Sequence, residues 1–183
     1  MQASLQGDAA PRAIDLSRRG SVRRVRGISA VANLAVEIAE RQRRRALSAL
    51  RHLQVDVQID LRELPAASPG TLLLLLVECE HSQACFFALG ARGKPAERVA
   101  DEASGDLLAF LDSGAAVDPW IADQLLLPLA IAQGKTQMLT SRVTGHLLTN
   151  ASVIRHFLPV RIAIEGAEGG TGMAVIDQSN GCE

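Results

Sequence analysis

The sequence predicts a two-layer protein of mixed α/β and α+β character, with helices packed on sheets. Three observations predict it. Residues 55–64, "VDVQIDLREL", alternate apolar and polar side chains, the period of a strand with one covered face. Residues 30–53, "AVANLAVEIAERQRRRALSALRHL", set Ala35, Ile38, Ala46, Leu50 and Leu53 on one stripe at helical spacing, opposite a run of arginines. "TLLLLLVECE" (71–80) and "ACFFALG" (84–90) read as the two strands of a buried hairpin, with His81-Ser82-Gln83 at its turn.

Taken in order, residues 1–12 read as a frayed start. "AIDL" (13–16) and "SVRRVRGIS" (21–29) are strands around a turn at Arg19-Gly20. The long helix, the alternating strand, the loop "PAASPG" (65–70) and the hairpin follow. "GKPAERVADEASGDLLAFLDSG" (93–114) is a helix with Pro95 in its first turn, where a missing N–H costs nothing, and Gly114 at its end. Together these pieces predict a β–α–β–β–α domain over 22–114. "PWIADQLLLPLAIAQG" (119–134) is a helix that Pro128 kinks or ends. Its apolar run Leu125–Leu127 predicts burial on most sides, and Trp120, Asp123 and Gln124 share one face at i, i+3 and i+4. "TQMLTSRV" (136–143) is a strand and "NASVIRHFL" (150–158) a short helix capped around Thr149-Asn150. "VRIAIEGAEGGTGMAVID" (160–177) is a hairpin, and 178–183 is a tail. The glycines 166, 169, 170 and 172 form its turn; a phosphate loop needs Lys-Ser/Thr and a helix next, and here a strand follows.

Composition narrows the function classes. Hydrophobic residues make up 48% and charged residues 21%, so most of the chain folds. No apolar run is long enough for a membrane span and no secretory leader opens the chain, which leads to the expectation of a cytoplasmic protein. Four Phe, one Trp and no Tyr argue against single-strand binding by stacked aromatics. Three cysteines fit a reducing compartment, and "CEHSQAC" brings Cys79, His81 and Cys85 close without the fourth ligand that zinc needs; no metal site is expected. The net charge of −1 hides an asymmetry: residues 1–62 hold 12 arginines against 6 acids, and 63–183 hold 7 basic residues against 14 acids. The runs "RRGSVRRVRG" and "RQRRR" are either a solvated face or a phosphate-binding one, the latter drawing on Arg18, Arg19, Arg23, Arg24, Arg41, Arg43 and Arg44.

His146, in "GHLLTN", is the histidine whose setting suggests chemistry: it stands near a helix start, which disfavours imidazolium and favours a bound phosphate. His156, mid-helix, reads as packing or surface.

Six segments in order, "SRRGSVRRVRGISAVANL" with "VEIAERQ", "SPGTLLLLLVECEHS", "ALGARGKPAERVADEA", "LDSGAAVDPWIADQLLLPLAIA" and "GHLLTNASVIRHFLPVRI", resemble the RNA 3'-terminal phosphate cyclases. The resemblance runs from about Ser17 to Ile164. It implies a large domain of βα repeats with a smaller domain inserted in the last repeat. On that basis 1–21 starts a core repeat, 22–114 is the insert domain and 115–177 is the final repeat. It implies ATP-dependent conversion of an RNA 3'-phosphate to a 2',3'-cyclic phosphate, with magnesium accompanying the nucleotide. His146 matches the histidine that becomes histidyl-AMP, and Trp120, Asp123 and Gln124 match the nucleotide-contacting face, Trp120 packing on adenine. RNA 3'-phosphate ends are the implied partner, and no membrane is.

The sequence departs from the family pattern in three places. The glycine-rich "GEGGGQ"-type region that members carry is not found in it, so the chain is expected to be a C-terminal portion needing a missing N-terminal half or associating with itself. Asp118-Pro119 stands where a Gly-acid pair is usual, and Gly145 where a cysteine is common. An inactive cyclase-like RNA-binding or RNA-processing module is therefore the alternative.

Overall fold

A computed structural model of the chain describes residues 11–178. Contacts divide it into two compact units: Arg18–Asp118, and the residues up to Ser17 together with those from Pro119 onward. The sequence reading set the smaller domain at 22–114.

The Arg18–Asp118 unit contains β2 (Val22–Ala32), α1 (Val36–Leu50), β3 (Asp56–Glu63), β4 (Gly70–Cys79), β5 (Gln83–Leu89) and α2 (Ala96–Asp112); β1 (Asp15–Leu16) precedes it in the other unit. Its sheet runs β3-β2-β4-β5, with β2 and β3 parallel and the other pairs antiparallel. The unit is thus β–α–β–β–β–α, one strand more than the expected formula. Odd-numbered side chains of β4 and even-numbered ones of β5 face α1 and α2. Leu73, Leu75 and Val77 are sealed, and Phe86 meets Phe110 of α2 at a ring-centroid distance of 5.4 Å.

The hairpin is not buried on both sides. Leu74 pairs with Phe87 and Leu72 with Leu89 on the opposite face, where Phe87 and Leu89 are exposed. The expected long helix also starts later than its composition suggests. Val31 is a ladder residue between β3 and β4 and Ala32 pairs with Gly70 of β4; Asn33 then takes a left-handed φ of 49° before α1 begins. Alanine and leucine are strong helix formers, but intrinsic propensity is small beside tertiary context, and the central place of β2 in the sheet overrides it. The buried stripe of α1 is Ala39, Gln42, Ala46 and Leu50; Ala35 is exposed and Leu53 is half-buried. Gln42 tolerates burial because it donates to Thr71 Oγ1 (2.9 Å) and accepts from Ser29 Oγ (3.0 Å).

The second unit contains β1, α3 (Pro119–Ala130), β6 (Lys135–Thr140), α4 (Gly145–Phe157), β7 (Arg161–Glu165) and β8 (Gly172–Asp177). Its sheet runs β1-β6-β8-β7, with β1 parallel to β6 and the rest antiparallel. The strands around Arg19-Gly20 therefore do not pair; β1 and β2 belong to different sheets. Of the expected frayed start, residues 1–10 lie outside the described residues. Pro11 and Ala13 are hydrogen-bonded to Gln133, which corrects the reading at 11–12. Of the expected tail, 179–183 lie outside as well.

The helices α3 and α4 cover one face of this sheet through Ala122, Leu126, Leu129, Leu147, Ala151 and Ile154, meeting Met138, Ile162, Ala174 and Ile176. Pro128 lies within α3, which ends two residues later. The expectation that α3 is buried on most sides is wrong: Trp120, Ile121 and Leu127 are 53%, 40% and 55% exposed. The two helices carry more apolar surface than the one sheet face they cover can bury.

Candidate functional site

The helices α3 and α4 run side by side in the same direction. The groove between them is lined by Asp123 and Asn150 at one end, by Leu127, Val153 and Ile154 along its length, and by Ile131, Phe157 and Leu158 at the other end. It encloses about 450 Å³. Both helices therefore begin at the Asp123–Asn150 end. The opening turns of α3, which carry Trp120, Asp123 and Gln124, thus lie at the same end of the groove as the first turn of α4, which carries His146. Asn150 Nδ2 donates to Asp123 Oδ1 at 2.6 Å and joins the two helices there.

The start of α4 differs from the sequence expectation. The cap is Thr144, whose hydroxyl accepts from Leu147 N (3.1 Å); Thr149 and Asn150 lie inside the helix. Thr149 turns its hydroxyl back to the Gly145 carbonyl at 2.8 Å. Both residues are good cap types, but Thr144 sits at the point where the backbone leaves its extended conformation (φ −101°, ψ 155°). His146 is thus on the first turn itself. It is exposed and makes no side-chain hydrogen bond among the described residues, which leaves its ring nitrogens open to a reactant. The N–H groups of Gly145 and His146 have no acceptor among the described residues, the usual condition of a helix start.

Glu168 is a neighbour that sequence reasoning missed. The glycine-rich segment is a turn, as expected, with Gly166 (φ 126°) and Gly169 (φ 87°) in conformations that suit glycine. Its tip is also clipped to the strand before His146: Val143 N donates to Gly170 O (2.7 Å) and Gly169 N to Val143 O (2.8 Å). The clip carries Glu168 to the start of α4, where a Cβ on Gly145 would lie 2.9 Å from its Oε1. Gly145 is what permits that approach. Twenty-odd residues separate the pair, and nothing local in the sequence signals it.

The seven arginines proposed for RNA are not gathered on one face. Arg24 lies on the open face of the first sheet in an ion pair with Glu78 (2.7 Å), whereas Arg41, Arg43 and Arg44 lie on α1, which covers the other face. Arg41 is held by Glu97 through two bonds of 2.8 and 2.7 Å, and Arg19 donates to the Leu111 carbonyl at 3.0 Å. Arg18, Arg23, Arg43 and Arg44 make no ion pair among the described residues. Side-chain bonding to Glu78 and Glu97 raises the Arg24 and Arg41 guanidinium values and lowers those of both carboxylates. Cys79 and Cys85 point to opposite faces of the hairpin, so they cannot share a metal with His81. Burial pushes both thiols up, with Arg19 partly opposing this at Cys79.

Comparison with known proteins decides the family. The profile of the RNA 3'-terminal phosphate cyclase insert domain matches residues 17–112. This chain belongs to the RNA 3'-terminal phosphate cyclase family. A Methylococcus capsulatus protein named RNA 3'-terminal phosphate cyclase is 42% identical over 164 residues, covering 90% of this chain and 45% of its own. Proteins of the same name from Pyrobaculum neutrophilum and Pseudomonas aeruginosa LESB58 are 38% and 37% identical, over 85% and 90% of this chain and 46% and 48% of theirs. The chain spans a little under half the length of these curated cyclase relatives. The Arg18–Asp118 unit is thus the region of the cyclase insert domain, and the candidate site lies in the other unit. No described helix is long and apolar enough to cross a membrane.

Proposed function

We propose that this chain carries the nucleotide-activating part of an RNA 3'-terminal phosphate cyclase, with His146 as nucleophile. The observation that carries the reading is the common start of α3 and α4, which sets Trp120, Asp123 and Gln124 beside the helix that bears an unbonded His146. A ring nitrogen of His146 attacks the α-phosphorus of ATP; the bond to the β-phosphate oxygen breaks, pyrophosphate leaves and histidyl-AMP forms. An oxygen of the RNA 3'-phosphate then displaces the histidine and takes the AMP. The adjacent 2'-hydroxyl attacks the activated phosphorus, loses its proton and expels AMP, closing the 2',3'-cyclic phosphate. Trp120, half exposed, offers an indole face to the adenine. The free N–H groups of Gly145 and His146 suit a phosphate oxygen.

Magnesium, if it takes part, arrives with the nucleotide. Among the described residues no three His, Cys, Asp or Glu side chains gather to hold a metal. The groups that grip the triphosphate and the RNA are assigned to the part of the cyclase fold that this chain does not span, and the exposed apolar side chains of α3 and α4 favour association with it. The dispersed and partly paired arginines give less support to the alternative of an inactive RNA-binding module.

Intact-mass measurement after incubation with ATP and magnesium tests the reading. The chain is assayed alone and with the part of the Methylococcus capsulatus relative that it does not span. An AMP-sized adduct is expected in the mixture and absent from His146→Ala. No adduct in either condition, from folded protein, sinks the assignment.

A further inference from the structure

Asn150 carries a role that its place in the sequence conceals. It stands one helical turn beyond His146 on α4, and its amide crosses to α3 to meet Asp123 at 2.6 Å. The pairing fixes the amide's orientation without further observation: a carboxylate only accepts, so the nitrogen faces Asp123. The bond is charge-assisted, with a length in the short range for such contacts. It lies at the open end of the groove, among exposed side chains, whereas the rest of the groove is apolar. A bond in that position adds little to stability. Its main effect is geometric: it restricts the rotamer of Asp123 and sets the opening turn of α3 against the turn that carries His146.

We propose that Asn150 is a positioning residue for the nucleotide site, holding the Asp123 carboxylate in the orientation that meets ATP. This rests on the nucleotide reading given above. Asn150 touches no reacting atom; it acts through Asp123 by committing Oδ1 and leaving the other carboxylate oxygen for the ligand. A one-residue change at a surface amide should therefore weaken nucleotide binding without loosening the fold.

Trp120 supplies a local reporter. It is the chain's only tryptophan and lies one turn before Asp123, so ATP binding at this site alters its fluorescence. ATP is titrated into the unmodified chain, into Asn150→Ala, and into the exchanged pair Asp123→Asn with Asn150→Asp, each mixed with the part of the Methylococcus capsulatus relative that this chain does not span, any tryptophan in that part being replaced. Thermal unfolding is measured on each chain alone. The exchange keeps an amide–carboxylate pair between the same positions but moves the charge from α3 to α4. In Asn150→Ala the dissociation constant for ATP rises about tenfold, the equivalent of one charge-assisted hydrogen bond, at an unchanged unfolding midpoint. The exchanged pair unfolds like the unmodified chain and does not recover ATP affinity. Unaltered affinity in Asn150→Ala overturns the proposal, as does recovery of affinity in the exchanged pair. Loss of folding in Asn150→Ala assigns the bond to stability and also overturns it. If millimolar ATP leaves the Trp120 fluorescence unchanged in the mixture with the unmodified chain, the nucleotide reading itself fails and the Asn150 role falls with it.

Discussion

The two units follow one plan and finish it in opposite ways. Each lays a pair of parallel helices on one face of a four-stranded sheet. In the Arg18–Asp118 unit the helix pair is laced by ions: Arg41 meets Glu97 and Arg45 meets Asp101, with the same sequence separation of 56 in both pairs, as parallel helices require. Lys94 adds a contact to Glu102 at the start of α2. In the other unit the corresponding surface of α3 and α4 is apolar, with Leu127, Ile131, Val153 and Phe157 between 48% and 81% exposed. One helix pair is finished toward water and the other presents a surface suited to a cover. The candidate site lies on the second.

The comparison breaks most sharply if the Arg18–Asp118 unit cannot stand alone. Residues 18–118, expressed by themselves, should unfold in one cooperative urea transition, with a stability of roughly 5–15 kcal/mol for a domain of this size. Leu75 is fully buried between the sheet and its helices. Leu75→Ala should remove about 2–5 kcal/mol, a substantial part of the total, and lower the urea midpoint accordingly. A fragment without a cooperative transition would mean that this unit, too, depends on a cover.

The same contrast explains what the sequence disclosed. The strands with a covered face and an open one announced themselves: the alternation at 55–64 became β3, and the leucine run became β4 with its odd residues sealed. Helix α2 was legible from Pro95 and Gly114 because backbone constraints at its ends act locally. The misread stretches were those decided by distant partners. Val31 and Ala32 are strand residues only because β4 pairs with both and β3 with Val31. Leu125–Leu127 looked like buried helix, since an apolar run carries no mark of whether its cover belongs to the same unit. Trp120, Asp123, Gln124 and His146 entered as candidates through the family resemblance and their residue types, and their proposed roles await the adduct measurement. The contacts of Asn150 and Glu168 arise from the packing of α3 on α4 and from the clip at Val143, and no local pattern encodes either.

Charging the apolar surface is the next test in order of effect. Leu127 and Phe157 are 55% and 81% exposed, so replacing both with aspartate opens no cavity and changes fold stability little. If their surface drives association, sedimentation velocity should show the unmodified chain in self-associated species and Leu127→Asp with Phe157→Asp shifted toward monomer, with far-UV circular dichroism unchanged. A monomeric unmodified chain would remove the claim that α3 and α4 are short of a cover.

The smallest expected effect lies with the ions of the first unit. Glu78, Glu97 and Glu102 all have carboxyl values below the ordinary 4.5, chiefly through bonds from Arg24, Arg41 and Lys94 respectively. A carboxylate held lower in the folded state than in the unfolded one adds stability above the unfolded value and loses it as the pH falls through the folded value. The 18–118 unit should therefore keep this contribution at neutral pH and shed it below about pH 4.5, as the three carboxylates take up protons. The pairs face water, so the gain is modest and is screened by salt. Urea midpoints for residues 18–118 at pH 7 and pH 3.5, each at low and at molar salt, should show an acid-dependent drop that salt diminishes. Arg41→Gln, which removes the two bonds on Glu97, should shrink that drop; an equal drop in the variant would show that its ion pair adds nothing to the finish of that helix pair.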